Sequence, residues 1–301
     1  MKKLALLMIF VLMIGFIASP LALANEHDDD VIDEYHGEPI LVLGEQLDET
    51  QRNEVRETLD AQDAEELIVT GQDLSDYIGG NPNANMYSSA KVTHMDDGHG
   101  IEVDIVTPDN ITEVTREMYE NALLTAGVEN AMVEVASPLR VTGHSALVGI
   151  YKAFHVEGGS LDQDRMEVAN DELNVATEIA EEEENVDSDE ITALLTEIKK
   201  AISEQNPASR EDVEQIVDEK INELNLELSE ENRQMLIDLV DRMRSLNIDF
   251  DRVSEQLENI VGDLQDRLDD LTDGNADGIW NAIRNFFISI ANWFQGLFAK
   301  I

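Results

Sequence analysis

There is no cysteine in this 301-residue chain, which excludes disulfides, zinc thiolate sites and thiol nucleophiles. Basic residues are scarce: 20 Lys and Arg stand against 65 Asp and Glu, for a formal net charge of −45. A field of that sign repels nucleic acid and other polyanions, so nucleic-acid binding through general charge is excluded. Aromatic residues make up 5% of the chain, and they are unevenly placed. Hydrophobic residues still reach 43%, close to the globular average, so the acidity belongs to a folded body and not to a wholly disordered chain. An acidic shell keeps a protein hydrated in concentrated salt, where ordinary repulsion is screened, and we read it as adaptation to a saline habitat. The length exceeds one small core and suits two domains.

Lys2 and Lys3 precede an apolar run from Leu4 to Ile17, followed by Pro20 and the small-x-small triplet Ala22, Leu23, Ala24. This pattern predicts a secretory signal over residues 1–24, cleaved after Ala24. An uncleaved anchor is the alternative, and the cleavage triplet argues against it. Residues 25–38 then form an acidic polar leader.

A mixed α/β domain is expected over residues 39–157. Ile40 to Leu43, ended by Gly44, fits a buried strand, and Leu67 to Thr70 a second. Asp48 with Gln51 three residues on predicts a capped helix running to about Leu59. Gln72 to Ile78 reads as a short helix stopped by Gly79. Tyr87–Met95 and Ile101–Val106 alternate in polarity across Asp96–Gly100. That predicts a β-hairpin, with Asp97 and Gly98 supplying positive φ. Met118 to Ala126 gives a helix closed by Gly127, Met132 to Ala136 a strand, and Ala146 to Phe154 a helix. About five strands and four helices result. Strand signals vanish after Gly158, Gly159 and Ser160. Residues 161–272 then repeat apolar positions at steps of three and four, through Leu194 and Ile198, Val213 and Ile216, Leu236 and Val240, and Val253 to Leu271, which predicts a helical bundle or arm. The fold class is therefore α+β, ending in an amphipathic aromatic helix.

Several stretches carry a family resemblance: Tyr87-Ser88-Ser89-Ala90, the run from Glu117 through Tyr119 and Asn121 to Val128, Ala136-Ser137-Pro138 with Thr142-Gly143, and Ala146 to Ala153. With Leu41-Val42-Leu43-Gly44 and Leu224 to Leu228, they resemble the YpuA-like proteins of Bacillus and relatives, a family catalogued as domain of unknown function 1002. The resemblance implies a secreted or envelope-associated protein and supplies no catalytic residue to carry across. The strong acidity and the Asp273–Gly278 loop depart from the family pattern.

The tail, residues 279–301, contains no Asp or Glu and holds both tryptophans. Ile279, Ile283, Phe286, Ile290, Trp293 and Leu297 recur at alternating steps of four and three, flanked by Trp280, Phe287, Phe294 and Phe298. On a helix they make one wide apolar face opposite Asn281, Arg284, Asn285, Ser289, Asn292 and Gln295. That polar stripe argues against a spanning helix and for one lying in a membrane–water interface. Each apolar side chain fully buried there contributes roughly 1.5 to 3 kcal/mol, an upper scale because interfacial burial is partial. The alternatives are packing on the protein's own bundle, on a second copy, or on a protein partner.

Chemistry is sparse. Gly143-His144-Ser145 stands where a hydrolase nucleophile elbow would, but the motif needs glycine two residues after the serine, and Leu147 stands there. A polar helix start with Ser145 near its cap is the better reading. His36, His94, His99 and His155 show no metal-ligand spacing. Carboxylate pairs occur on every helix face and point nowhere. Asp273, Asn275, Asp277 and Gly278 reproduce the first half of a calcium loop, yet Arg284 occupies the closing position. A weak calcium site competes there with a simple hinge over 273–278. Cleavage after Ala24 would leave Asn25, Glu26 and His27 as an amino-terminal square-planar site for copper or nickel. No catalytic residue and no cofactor is assigned, and oligomeric state is open. The combined expectation is an exported, non-enzymatic, envelope-associated protein held at the outer membrane–water interface by its tail. An extracellular hydrolase using carboxylates and a calcium-responsive binding module are the alternatives.

Overall fold

The computed structural model describes residues 37–272 except Asn247, with side chains described to Leu264 apart from Asp251. The expected signal, most of the leader, the hinge, the tail helix and both metal-site candidates (Asn25, Glu26, His27; Asp273, Asn275, Asp277) lie outside the described residues.

In chain order the elements are β1 (Ile40–Gly44), α1 (Glu49–Thr58), β2 (Glu65–Val69), α2 (Gly71–Ile78), β3 (Ser89–His94), β4 (Ile101–Ile105), α3 (Arg116–Ala126), β5 (Ala131–Ala136) and α4 (Ser145–Val156). Helices follow without further strands: α5 (Gln163–Glu182), α6 (Ser188–Gln205), α7 (Arg210–Glu223), α8 (Glu230–Ser245), a 3₁₀ turn (Phe250–Val253) and α9 (Ser254–Thr272). The class is α+β.

The sheet order is β2-β1-β3-β5-β4. β1 runs parallel to β2 through α1, and β4 parallel to β5 through α3. Such pairs need a crossover, and each helix supplies one. β3 lies between the two units, antiparallel to β1 on one side and to β5 on the other. The hairpin expected from the alternation of β3 and β4 is therefore absent, because β5 lies between them. Alternation reports that a strand has one buried face; it does not report which strand is its neighbour. The connecting turn differs too: Gly98 (φ 92°) and Gly100 (φ 86°) take the left-handed conformations, and Asp97 does not. Asn130 Oδ1 accepts the backbone N–H of both glycines at 3.0 Å.

β1 is buried on both faces, and its period of two splits the core. Leu41 and Leu43 meet Val55 and Leu59 beneath α1, while Ile40 and Val42 face the larger cluster on the other side. There α4 packs on β1, β2 and β3, and α3 packs on β4. α5 covers α2 and α3, and α6 lies among α3, α5, α7 and α9. One apolar cluster runs from Ile40 to Leu264, so the core is continuous across the Gly158–Ser160 turn between α4 and α5. In α6 every residue from Ile191 to Ile202 is buried, and in α3 every residue from Glu117 to Ala126. A helix enclosed on all sides must pair each of its polar groups internally.

Helix starts follow local chemistry. Asp48 and Gln51 form the capping box predicted for α1. Thr70, Thr115, Asp162, Asp187, Ser209 and Ser229 cap α2, α3, α5, α6, α7 and α8 through their side chains. α4 departs from this pattern: His144 is its cap residue and makes no side-chain capping bond. Ser145, expected near the cap, is the first residue of the helix, and its Oγ accepts the backbone N–H of Ser88 at 3.2 Å.

Candidate functional site

β4 is an edge strand, and an unpaired edge invites pairing with another chain. Here side chains close it. Gln256 of α9 accepts the Ile101 N–H at 3.1 Å and donates to the Glu129 carbonyl at 3.2 Å. Glu120 of α3 accepts the Val103 N–H at 3.2 Å. Between β4, α3 and α9 a cleft of about 340 Å³ opens, walled by His99, Glu102, Arg116, Glu120, Gln256 and Asp263.

Glu120 is 6% exposed. Burial, and then the neighbouring Glu117 carboxylate, push its carboxyl up to about 8. At neutral pH it therefore holds a proton. Glu117 is fully buried beside Arg116, whose Nε and Nη2 donate to Glu117 Oε1 at 3.2 and 3.0 Å. Asp263 Oδ2 stands 3.8 Å from Arg116 Nη2. The cleft thus presents a neutral carboxyl, able to donate a hydrogen bond or a proton, beside a fixed guanidinium–carboxylate pair.

Behind the cleft, the opposite face of α3 builds a buried polar network. Lys199 of α6 is fully enclosed, with Nζ 2.5 Å from Glu172 Oε1 of α5. It donates to the Asn121 carbonyl at 2.9 Å and to Asn121 Oδ1 at 3.1 Å. Thr125 Oγ1 donates to Glu172 Oε2 at 2.5 Å, and Asn121 Nδ2 to Thr196 Oγ1 at 2.8 Å. Burial holds Lys199 below the ordinary lysine range. No opening gives solvent access to its ammonium, so the network positions α3 and is not a site.

The sequence candidates are scattered. Ser145 lines a second cleft, but His144 turns its ring to Thr142 Oγ1 at 3.1 Å and Thr177 Oγ1 at 3.3 Å, and so does not activate it. His94 stacks edge-on against Phe154 and pairs with Glu157, and His155 meets Tyr77 edge-on. Among the described residues, no group of three or more His, Asp or Glu is arranged to hold a metal ion. Of the described histidines, His99 alone reaches the cleft at β4. Glu120, Arg116 and Gln256 were not singled out by sequence. Their one signal is Glu117 and Glu120 beside Met118, Tyr119 and the apolar run from Ala122 to Leu124 in the stretch that becomes α3, and acid abundance hides it.

Two comparisons bear on identity. The family described as "Protein of unknown function (DUF1002)" matches residues 43–260. The chain is 29% identical over 293 residues to "Uncharacterized protein YpuA" of Bacillus subtilis (strain 168), covering 95% of this chain and 98% of that relative. No solved structure matches it. The match begins within β1 and ends in the first half of α9, taking in the rest of the sheet, the whole second cleft and the first cleft apart from Asp263, and the chain belongs to the DUF1002 family.

Proposed function

We propose that this protein is exported and works without catalysis at the cell envelope, its acidic body held at the outer membrane–water interface by the segment 279–301. One observation carries the reading: that segment has no Asp or Glu in a chain with 65 of them, and it holds both tryptophans and four phenylalanines. An amphipathic helix of that composition gains by burying its apolar face in the headgroup boundary, and the missing acids avoid repulsion from anionic lipid. The body gives the face little to sit on: among the described residues, Leu139 and Val156 are the exposed large apolar side chains. The non-enzymatic part is supported by Ser145, whose hydroxyl has no base turned toward it.

The test compares the chain starting at Asn25 with a version ending at Gly278. Both are mixed with vesicles of anionic and zwitterionic lipid at high salt and sedimented. The longer form is expected in the pellet and the shorter in the supernatant; equal partition refutes membrane attachment.

A second reading is favoured by Glu120, a carboxyl kept protonated in a cleft beside charged groups, as a general acid would be. In that reading the protein is an envelope hydrolase. It requires a hydrolytic activity on envelope polymers that Glu120→Gln abolishes while leaving the fold intact.

A further inference from the structure

The second cleft, about 320 Å³, lies between α2, the 84–88 segment entering β3, and the first turn of α4. Charged residues are 28% of the chain, yet no Asp, Glu, Lys or Arg lines this cleft. Its volume is within the range of small-molecule sites. Leu74, Met86 and Val141 give the cleft apolar lining, and Ser88, Thr142, Ser145 and Asn170 give it polar lining without formal charge.

Two independent features of that polar lining point to a ligand. The first is the start of α4, a 12-residue helix with no acid in its first turn and no side-chain cap. No side chain offsets the positive end of its dipole, unlike those of the helices capped by Asp, Ser or Thr, although the Ala146 and Leu147 N–H groups donate to the Gly143 and His144 carbonyls at 3.0 and 3.3 Å. Gly143 fixes this turn at φ 110°, where a Cβ would stand 2.8 Å from both Ile111 Cγ2 and the Tyr119 hydroxyl. The second is Ser88, which is 1% exposed and lines the cleft, and whose Oγ has no hydrogen-bond partner. Leaving a buried hydroxyl unpaired costs about 1–3 kcal/mol. Ser145 Oγ accepts the Ser88 backbone N–H and keeps its own proton to give.

The absence of Arg and Lys decides which anion fits. A helix start accepts carboxylate, phosphate or sulfate alike; with no Arg or Lys in the lining to offset a second charge, the singly charged carboxylate is the better match for a helix start and two hydroxyls. Burial also holds His144 below its ordinary value, so it adds no fixed positive charge near neutrality.

We propose that this cleft binds the carboxylate of a small apolar acid. The carboxylate accepts from the Ser88 and Ser145 hydroxyls at the start of α4, and the apolar group lies against Leu74, Met86 and Val141. A free branched-chain acid and a peptide ending in an apolar residue present the same chemistry.

The test titrates the full chain with 4-methylpentanoate, N-acetylleucine and N-acetylleucinamide, read by amide chemical shifts. Both acids are expected to give saturable shifts confined to the cleft lining, at Leu74, residues 85–88 and residues 141–146, with the amide weaker by about tenfold or more. Tighter binding of N-acetylleucine than of 4-methylpentanoate assigns the peptide source, and the reverse order assigns the free acid. Asn170→Asp, which adds a carboxylate to the cleft wall, is expected to weaken the acids about fivefold or more and leave the amide unchanged. Ser88→Ala is expected to weaken the acids without lowering the melting temperature, since it removes a hydroxyl that bonds nothing in the free protein. The proposal is overturned by the absence of saturation with either acid, by equal binding of acid and amide, or by a Ser88→Ala protein that melts lower and binds as before.

Discussion

Replacing Lys199 with methionine isolates the energetics of the one ion pair enclosed by α3, α5 and α6. At an effective dielectric of about 20, charges 2.5 Å apart attract by about 7 kcal/mol, and desolvation of two ions takes back several kcal/mol each. The pair as a whole therefore contributes little net stability, while half of it is strongly unfavourable. In Lys199→Met, Glu172 keeps the Thr125 hydroxyl and loses its counter-ion, a loss of about 3–5 kcal/mol. For a body of this size, about 2–4 °C of melting temperature accompanies each kcal/mol, so a fall of about 6–20 °C is expected. Glu172→Met alone should cost a similar amount by stranding the ammonium. The double variant Lys199→Met with Glu172→Met should return to within about 3 kcal/mol of the parent: two methionines fill similar volume without charge, and the remaining loss is the Asn121 Oδ1 left without its lysine donor. Urea unfolding of the four proteins completes the cycle. Additive losses, with the double variant least stable, would refute the argument that the pair's value lies in mutual compensation.

Glu120 predicts a pH dependence. Its folded value of about 8 exceeds the unfolded value of about 4.5, so between these limits the folded state binds the extra proton and stability falls as pH rises, by on the order of 1 kcal/mol per pH unit. Glu120→Gln removes that slope: urea midpoints at pH 5, 6.5 and 8 should converge at low pH and favour the variant at pH 8, and parallel profiles would count against the assignment. Gly143→Ala combines a positive φ with contacts at 2.8 Å and should cost about 2 kcal/mol or more. Gly98→Ala, at φ 92° with nothing within 4 Å of the added Cβ, should cost about 1 kcal/mol; thermal melts compare the two. Gln256→Ala frees the Ile101 N–H and the Glu129 carbonyl and should cost about 1–2 kcal/mol, with faster amide exchange at Ile101 as the local readout.

Local elements were legible because their signals are local. Asp48 with Gln51, Gly79 and Gly127 each act within one helical turn, and the structure places a helix boundary at each. Strand neighbours were not legible: the polarity of β3 and β4 was read correctly, yet β5, which separates them, lies more than 25 residues further along. The clefts were hidden for a different reason. With 65 acids in the chain, Glu117 and Glu120 look like any other carboxylate pair, and only their enclosure, a tertiary property, raises Glu120. Gly143-His144-Ser145 did draw notice, as a defective nucleophile motif. Its uncapped helix start and the orphan hydroxyl of Ser88 depend on contacts across 57 residues of chain.

The wrapping of α6 has a consequence for how the molecule comes apart. A helix whose neighbours come from the sheet-bearing stretch and from the all-helical stretch alike makes the larger interior common to both, and only the small cluster beneath α1 belongs to the sheet-bearing stretch alone. Backbone amides between Ile191 and Ile202 should exchange with solvent only when the whole body opens, and so mark the slowest class in the protein. A protease that nicks the chain at Gly158–Ser160 would then yield two fragments that stay together through purification and part only in denaturant.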